Sequence, residues 1–278
     1  MQAHHEGFID SFDGSKLYFQ LWDNKSDTLV LVTHGHGEHS GCYMRVVDAL
    51  APTGASVIAW DLRGHGKSDG LRGYAVDFYE YSKDLEFLIM QLGNQKIVKF
   101  KKLILFAHSM GGLIQTAVVA GSMQKFEALV FSSPLFGISM QVPFMKELAS
   151  VIAESFLPKL TLGTGIDYDK LTRDDLVKKE YELDNLRHQK MSAGVFLGIQ
   201  KSFKNVSAIL SQLKVPTLVQ IPESDPVVDS DKTKQCVEIA NNPGIQMKIY
   251  PGRRHELYND LNRDEVFRDL AGFIKAHI

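Results

Sequence analysis

The stretch Lys102–Gln115, KLILFAHSMGGLIQ, constrains this 278-residue chain more than any other. Leu103–Ala107 is a continuous apolar run of the length of a strand buried on both faces. The chain then turns through His108–Ser109–Met110–Gly111–Gly112 and continues as an apolar helix over Leu113–Ala120. A serine at a tight strand-to-helix hinge of small residues is the setting of a nucleophile elbow. Its hydroxyl is held above the carboxyl end of the strand, on a strained backbone, beside the first free amides of a helix. The usual pattern is G-x-S-x-G. Here Ala107 takes the first position, and its methyl strains the hinge without excluding it.

The elements around this stretch set the fold class. Ile9 and Phe12 lead into the turn Asp13–Gly14, and Leu17, Phe19 and Leu21 then alternate with Tyr18, Gln20 and Trp22, as in a hairpin. Thr28–His34 reads as a buried strand, and Tyr43, Val46, Val47 and Leu50 mark an amphipathic helix. A strand over Ser56–Asp61, the loop Leu62–Gly73 and a helix carrying Phe78, Tyr81, Leu85, Leu88, Ile89 and Leu92 follow. After the serine unit comes a strand at Ala128–Ser132. Strands alternating with helices predict a mostly parallel, doubly wound α/β sheet.

The rhythm stops at Pro134. Residues 135–206 are helical in pattern, with Phe144, Leu148, Val151, Ile152 and Phe156, and show no convincing strand. It resumes with a strand at Thr217–Ile221, a helix over Lys232–Ala240, a strand at Met247–Tyr250 and a helix over Arg263–His277, with Asn262 and Glu265 as its capping pair. The expectation is one eight-stranded core, 1–134 with 207–278, interrupted after the sixth strand by a helical insertion, 135–206.

Composition narrows the function classes. A net charge of −2 with no basic stripe argues against a nucleic-acid partner. Cys42 and Cys236 make neither a disulfide framework nor a metal knuckle, so both read as packing residues in a reducing compartment. The amino-terminal MQAHHEGFIDSFDG lacks the basic and apolar regions of a signal peptide, and no apolar run approaches the roughly 20 residues that span a bilayer. These features predict a soluble cytoplasmic protein, with His4 and His5 in a disordered tail.

A serine nucleophile needs a base within hydrogen-bond reach and an acid to orient that base. Functional groups of open α/β sheets gather beyond the carboxyl ends of the strands. The loops after the last two strands supply Asp225, in PESDP, and His255, in GRRHE. The order Ser109, Asp225, His255 is the one expected after an elbow. Among the rival carboxylates Glu223 and Asp229, the latter reads as the cap of the next helix. Two backbone amides should face the oxyanion, one at Met110 and one at His36 in the loop His34–Gly37. A zinc reading of THGHGEH, with His108, Asp225 and His255 as further ligands, competes for the same residues. It meets Glu38 where that motif has Asp, and leaves AHSMGG unexplained.

Five motifs in order, HGHGEHSGCY, DLRGHGKSDG, AHSMGG, SDPVVD and GRRHE, resemble the α/β-hydrolase superfamily, and more narrowly its monoacylglycerol lipase and lysophospholipase-like branch. The similarity runs from about Leu29 to His255 and reaches into the insertion at Leu171–Asp174, Tyr181 and Asp184–Leu186, which looks like that branch's cap. The resemblance implies Ser109 as nucleophile, Asp225 as acid, His255 as base, the amides of His36 and Met110 as oxyanion hole, and no cofactor or metal. Departures are Ala107 for Gly, His36 for a small residue, Cys42 for Arg, Pro222 for Gly and Asn185 for Pro. The implied substrate is a small lipid ester with one acyl chain, cleaved through an acyl-enzyme. A non-lipid ester, a thioester or a carbon–carbon bond cleaved by the same triad stays open, as does an inactive binding protein. Asp61, Arg63, His65 and His39 read as braces of their loops. The apolar insertion residues Met140, Phe144, Met145, Phe156 and Phe196 are either plain core or the lining of an acyl tunnel, and the cap is a candidate for transient contact with lipid surfaces.

Overall fold

A computed structural model describes residues 3–94, 97–122, 124–139 and 155–278. Its main sheet has eight strands: β1 (Ala3–Asp10), β2 (Lys16–Asp23), β3 (Thr28–Thr33), β4 (Ser56–Trp60), β5 (Lys102–His108), β6 (Ala128–Ser132), β9 (Thr217–Pro222) and β10 (Ile245–Tyr250). The strand order is β1-β2-β4-β3-β5-β6-β9-β10, antiparallel at β1–β2 and β2–β4 and parallel elsewhere. It is the sheet of an α/β-hydrolase.

The central strands are apolar on both faces because helices cover both. Alternate residues point to opposite sides of a pleated strand. Leu29 and Leu31 of β3, Leu103 and Leu105 of β5, and Leu129 and Phe131 of β6 enter one core. Val30 and Val32, Ile104 and Phe106, and Ala128 and Val130 enter the other. The first core is closed by α2 (Tyr79–Asn94) and α3 (Met110–Gly121), the second by α1 (Met44–Leu50) and α9 (Asp264–Lys275). Each such buried aliphatic side chain contributes about 1.5–3 kcal/mol. The same double burial explains why a period of two is absent from these runs.

Between β6 and β9 the chain builds β7 (Thr161–Gly163), α4 (Tyr168–Leu171), α5 (Asp175–Leu183), β8 (Lys190–Ser192), α6 (Ala193–Ser202) and α7 (Val206–Gln212). β7 and β8 pair antiparallel. The expectation of no strand here therefore fails, because three-residue strands are too short to show a period. Met140, Val142, Phe144, Met145, Leu148, Val151 and Ile152 lie outside the described residues.

Other local expectations also change. His4 and His5 belong to β1, opposite Trp22 and Leu21, and the His4 ring stacks on Trp22 at 5.1 Å. Asn262 does not cap the last helix: it sits at φ 55°, and Arg263 precedes the helix without a capping side chain. Arg263 instead binds Asp174, at 2.9 Å. Asp229 does cap α8 (Ser230–Ala240), accepting from the Lys232 amide at 2.9 Å. No helix among the described residues is long and apolar enough to cross a membrane.

Candidate active site

β5 delivers Ser109 at its carboxyl end, and α3 leaves from the next residue. The serine backbone lies at φ 50°, ψ −120°, a region that non-glycine residues rarely occupy. Only glycine fits at 111, since a Cβ there would lie 2.6 Å from the Thr33 carbonyl and 2.7 Å from that of His34. The helix thus passes hard against the end of β3. Ala107 is fully buried and keeps its place in the ladder, between Thr33 and Phe131, so its methyl is accommodated.

Ser109, Asp225 and His255 come together from loops up to 146 residues apart. The Ser109 hydroxyl donates to His255 Nε2 at 3.0 Å, and His255 Nδ1 donates to Asp225 Oδ2 at 2.7 Å. A carboxylate only accepts, so the proton sits on Nδ1 and the Nε2 lone pair faces the serine. The other Asp225 oxygen accepts from the amides of Val227 (2.7 Å) and Val228 (3.1 Å), which lock the acid in its Pro-flanked turn. Ser133 donates to the His255 carbonyl at 2.6 Å and holds the histidine from behind. Burial opposes a charge on His255, but the Asp225 carboxylate, with Glu256 and Glu38 beyond it, outweighs burial and raises the imidazole above its ordinary value.

Met110 is the first residue of α3, so its amide has no acceptor within the helix. His36 lies in a loop pinned on both sides: the Gly35 amide donates to Glu38 Oε2 at 2.7 Å, and the Gly37 carbonyl accepts from the His188 amide at 3.1 Å. His36 borders a cavity of about 60 Å³, lined also by Ser109, His108, His255, Thr164, Tyr168, Arg187 and His188.

Beside the base lies a buried ion cluster without a sequence signature. Arg187, from the segment between α5 and β8, reaches Glu256 at 3.2 Å and Glu38 at 3.6 Å. Tyr181 and Asn259 also donate to Glu256, and Tyr43 to Glu38. Burial raises the Glu38 carboxyl and the charge of Glu256 raises it further; burial opposes ionisation of Glu256 too, but Arg187 and the other donors hold it low. Glu256 beside His255 was the one available hint; nothing local marks Arg187.

The residues of the zinc-like string are engaged separately. His34 bonds the Gly35 carbonyl and the Leu62 amide, and His108 bonds the Ser132 carbonyl. His39, Cys42 and Asp184 do place ligand atoms within 4.8 Å of one another. In that group His39 Nε2 already donates to Asp184 at 2.7 Å, His39 Nδ1 accepts from Gly41, and burial pushes the Cys42 thiol up to about 12. It is a tether between a core loop and the intervening segment, as the loop-bracing reading of His39 requires. Asp61 accepts from the amides of Ser40 and Lys67, and Arg63 grips Asp84 through two nitrogens at 2.6 Å. His65 Nδ1 bonds the Arg63 carbonyl at 3.0 Å. These three residues brace the loop after β4.

Known proteins are similar to this chain along almost its whole length. The profile of the serine aminopeptidase (S33) family matches residues 24–262. Human monoglyceride lipase is 32% identical over 267 residues, covering 93% of this chain and 86% of its own. The monoacylglycerol lipase of Mycolicibacterium smegmatis is 28% identical over 272 residues, 95% of each chain. The crystal structure of Paleococcus ferrophilus monoacylglycerol lipase superposes with a TM-score of 0.82 at 25% identity, over the whole of both chains. An elbow serine on β5, a parallel sheet entered by an antiparallel pair, and similarity along almost the entire length have one common explanation. This chain belongs to the serine aminopeptidase family of α/β-hydrolases, within its monoacylglycerol lipase-like branch.

Proposed function

We propose that the chain is a serine carboxylic-ester hydrolase that cleaves lipid esters of a single acyl chain through an acyl-enzyme. The observation that carries this reading is the placement of His255 between Ser109 and Asp225, at 3.0 and 2.7 Å, at the edge of a cavity. Ser109 Oγ attacks the ester carbonyl while His255 Nε2 takes its proton; Asp225 holds the imidazole tautomer and steadies the imidazolium. The amides of His36 and Met110 receive the oxyanion, each worth about 2.7–4 kcal/mol of barrier. The imidazolium then protonates the leaving alcohol. Water, deprotonated by the same histidine, releases the acid. No cofactor takes part in this sequence.

Residues 135–206 act as a cap over the carboxyl end of the sheet, and the remainder forms the core. Ligand sites for small molecules measure about 300–1,000 Å³, so the cavity of about 60 Å³ bordered by Ser109 and His255 must widen before an acyl chain enters. Phe156, Leu157, Leu160 and Leu162 of the segment are exposed and suit brief contact with a lipid surface. The relatives' names, monoglyceride and monoacylglycerol lipase, support the same substrate class.

The test joins labelling to chain length. A fluorophosphonate should label the protein once, and Ser109→Ala should abolish both labelling and turnover. On 1-monoacylglycerols, kcat/KM should rise several-fold per added carbon through the medium range, because each buried methylene is worth about 0.8 kcal/mol, and then level off. Efficiency highest on acetate esters would overturn the lipid reading. Serine at positions 156 and 157 should slow turnover of aggregated substrate more than of dispersed substrate; equal effects would remove the surface contact.

A further inference from the structure

The loop that carries His36 is held by side chains from other parts of the chain. Glu38 Oε2 accepts from the Gly35 amide and from the Tyr43 hydroxyl, each at 2.7 Å. Gly35 lies against Ser109: a Cβ there would sit 3.0 Å from Ser109 Cβ and 3.0 Å from Glu38 Oε2. The second Glu38 oxygen, Oε1, faces Arg187 Nη2 at 3.6 Å, and Arg187 also binds both oxygens of Glu256, at 3.2 and 3.3 Å. Its guanidinium lies over the Tyr181 ring, 3.7 Å from the ring centre. On the other side of His36, the Gly37 carbonyl accepts from the His188 amide at 3.1 Å. Two consecutive residues of the intervening segment thus grip the loop before and after His36, one through Glu38 and one directly.

We propose that Arg187 is a positioning residue for the reaction: acting through Glu38, its charge holds the loop that presents the oxyanion amide of His36. This rests on the ester-hydrolase reading of the same site. Burial and the charge of Glu256 both favour a proton on Glu38, and Arg187 opposes them. An ionised carboxylate accepts a hydrogen bond roughly twice as strongly as a neutral group, so the cation keeps the Gly35 amide seated. Without it Glu38 takes up a proton, its hold on Gly35 weakens, and the amide of the next residue drifts from the point where charge develops. A displacement of ~1 Å in such a group costs up to ~10²-fold in rate. The cation comes from the segment between β6 and β9 and not from the core. Position 42, arginine in the motif that this stretch resembles, is cysteine here. Cys42 borders the same small gap as Glu38 and Glu256, so a cation at that position would meet the two carboxylates from the core side. In this chain the charge sits on the intervening segment instead, and the oxyanion loop is complete only while residues 187 and 188 are seated on it.

The test measures kcat and KM on a soluble nitrophenyl ester, affinity for a trifluoromethyl ketone, whose adduct with Ser109 carries an oxyanion, and the melting temperature. Arg187→Leu should lower kcat about tenfold to a hundredfold with KM changed less than about threefold, as expected for a contact realised in the transition state. Affinity for the ketone should fall by a similar factor. A purely structural anchor would lower the melting temperature and leave kcat of the folded enzyme unchanged. Arg187→Lys, which keeps the charge, should retain most of kcat. Adding Cys42→Arg to Arg187→Leu should recover a large part of the loss, whereas adding the uncharged Cys42→Met should not. Should Arg187→Leu fail to fold, Glu38→Gln decides: it keeps an acceptor for Gly35 without the charge, and should lower kcat about tenfold at unchanged KM. Wild-type kcat in folded Arg187→Leu or in Glu38→Gln, or equal kcat in the Cys42→Arg and Cys42→Met double variants, would overturn the proposal and leave the ester reading intact. A wild type that neither takes a fluorophosphonate on Ser109 nor turns over any ester would overturn the reading beneath it.

Discussion

At the scale of single residues, the Asp225 carboxylate decides how His255 behaves. Asp225 both orients His255 and raises its pKa against the effect of burial. In the proposed mechanism His255 must be neutral to accept the serine proton, so the acid limb of the kcat/KM profile should lie above the ordinary histidine value of about 6.5. Asp225→Asn should lower kcat by roughly 10⁴ and move that limb to lower pH, because the raising charge is gone. Asp229→Asn keeps a good cap on α8, since Asn caps a helix about as well as Asp, and should cost little stability and little turnover. Steady-state kinetics across pH on the two variants checks this, and the opposite ranking would mean that the wrong carboxylate has been assigned.

Single elements and their anchors set the next scale. The segment between β6 and β9 is tied to the core by Arg173 on Asp260 (2.8 Å), Arg263 on Asp174 (2.9 Å) and Arg187 on Glu256 and Glu38. These ties differ in worth. Arg187 and both of its carboxylates are almost wholly buried, so Arg187→Leu leaves two acids near His255 without their counter-charge. Such a change costs about 3–5 kcal/mol. Arg45 also reaches this segment, at Glu180, but the pair is largely exposed, and Arg45→Ala should cost less than about 1 kcal/mol. Urea unfolding of the two variants measures the difference, and equal midpoints would show that the buried cluster does not anchor the segment.

For the molecule as a whole, buried neutral histidines set the limit at low pH. Burial first of all lowers His34, His36 and His108 to about 3 and His188 to about 4, and takes His65 well below its usual value. In the unfolded chain these side chains take up protons near pH 6.5. Between pH 6.5 and 4 the unfolded state therefore binds more protons than the native one, and stability falls as the pH falls. Each such histidine contributes up to about 1.4 kcal/mol per pH unit within that window. Urea midpoints should be steady above pH 7 and drop steeply towards pH 4.5, and His65→Gln should flatten the slope. A midpoint independent of pH would show that these histidines are protonated in the folded protein.

Much of this was legible before any coordinates. Local sequence was enough for the strands from β2 onward in the main sheet, the serine hinge and the loops that carry Asp225 and His255, since periodicity, turn chemistry and glycine spacing act within a few residues; the start of β1 at His4 and His5 was not legible. Asp229 as a helix cap and the bracing of the loop after β4 belong to the same local physics. Tertiary structure alone decided the rest. Asn262 had the right residue type and spacing for a cap, yet the path into the last helix puts it at positive φ and gives Arg263 to Asp174. The three-residue strands β7 and β8 exist only because each has the other to pair with. Arg187 meets Glu256 from 69 positions away in the chain. Such contacts depend on how distant segments close over the carboxyl end of the sheet, and burial then gives them their strength, because removal from water turns an ordinary polar side chain into one that must find a partner.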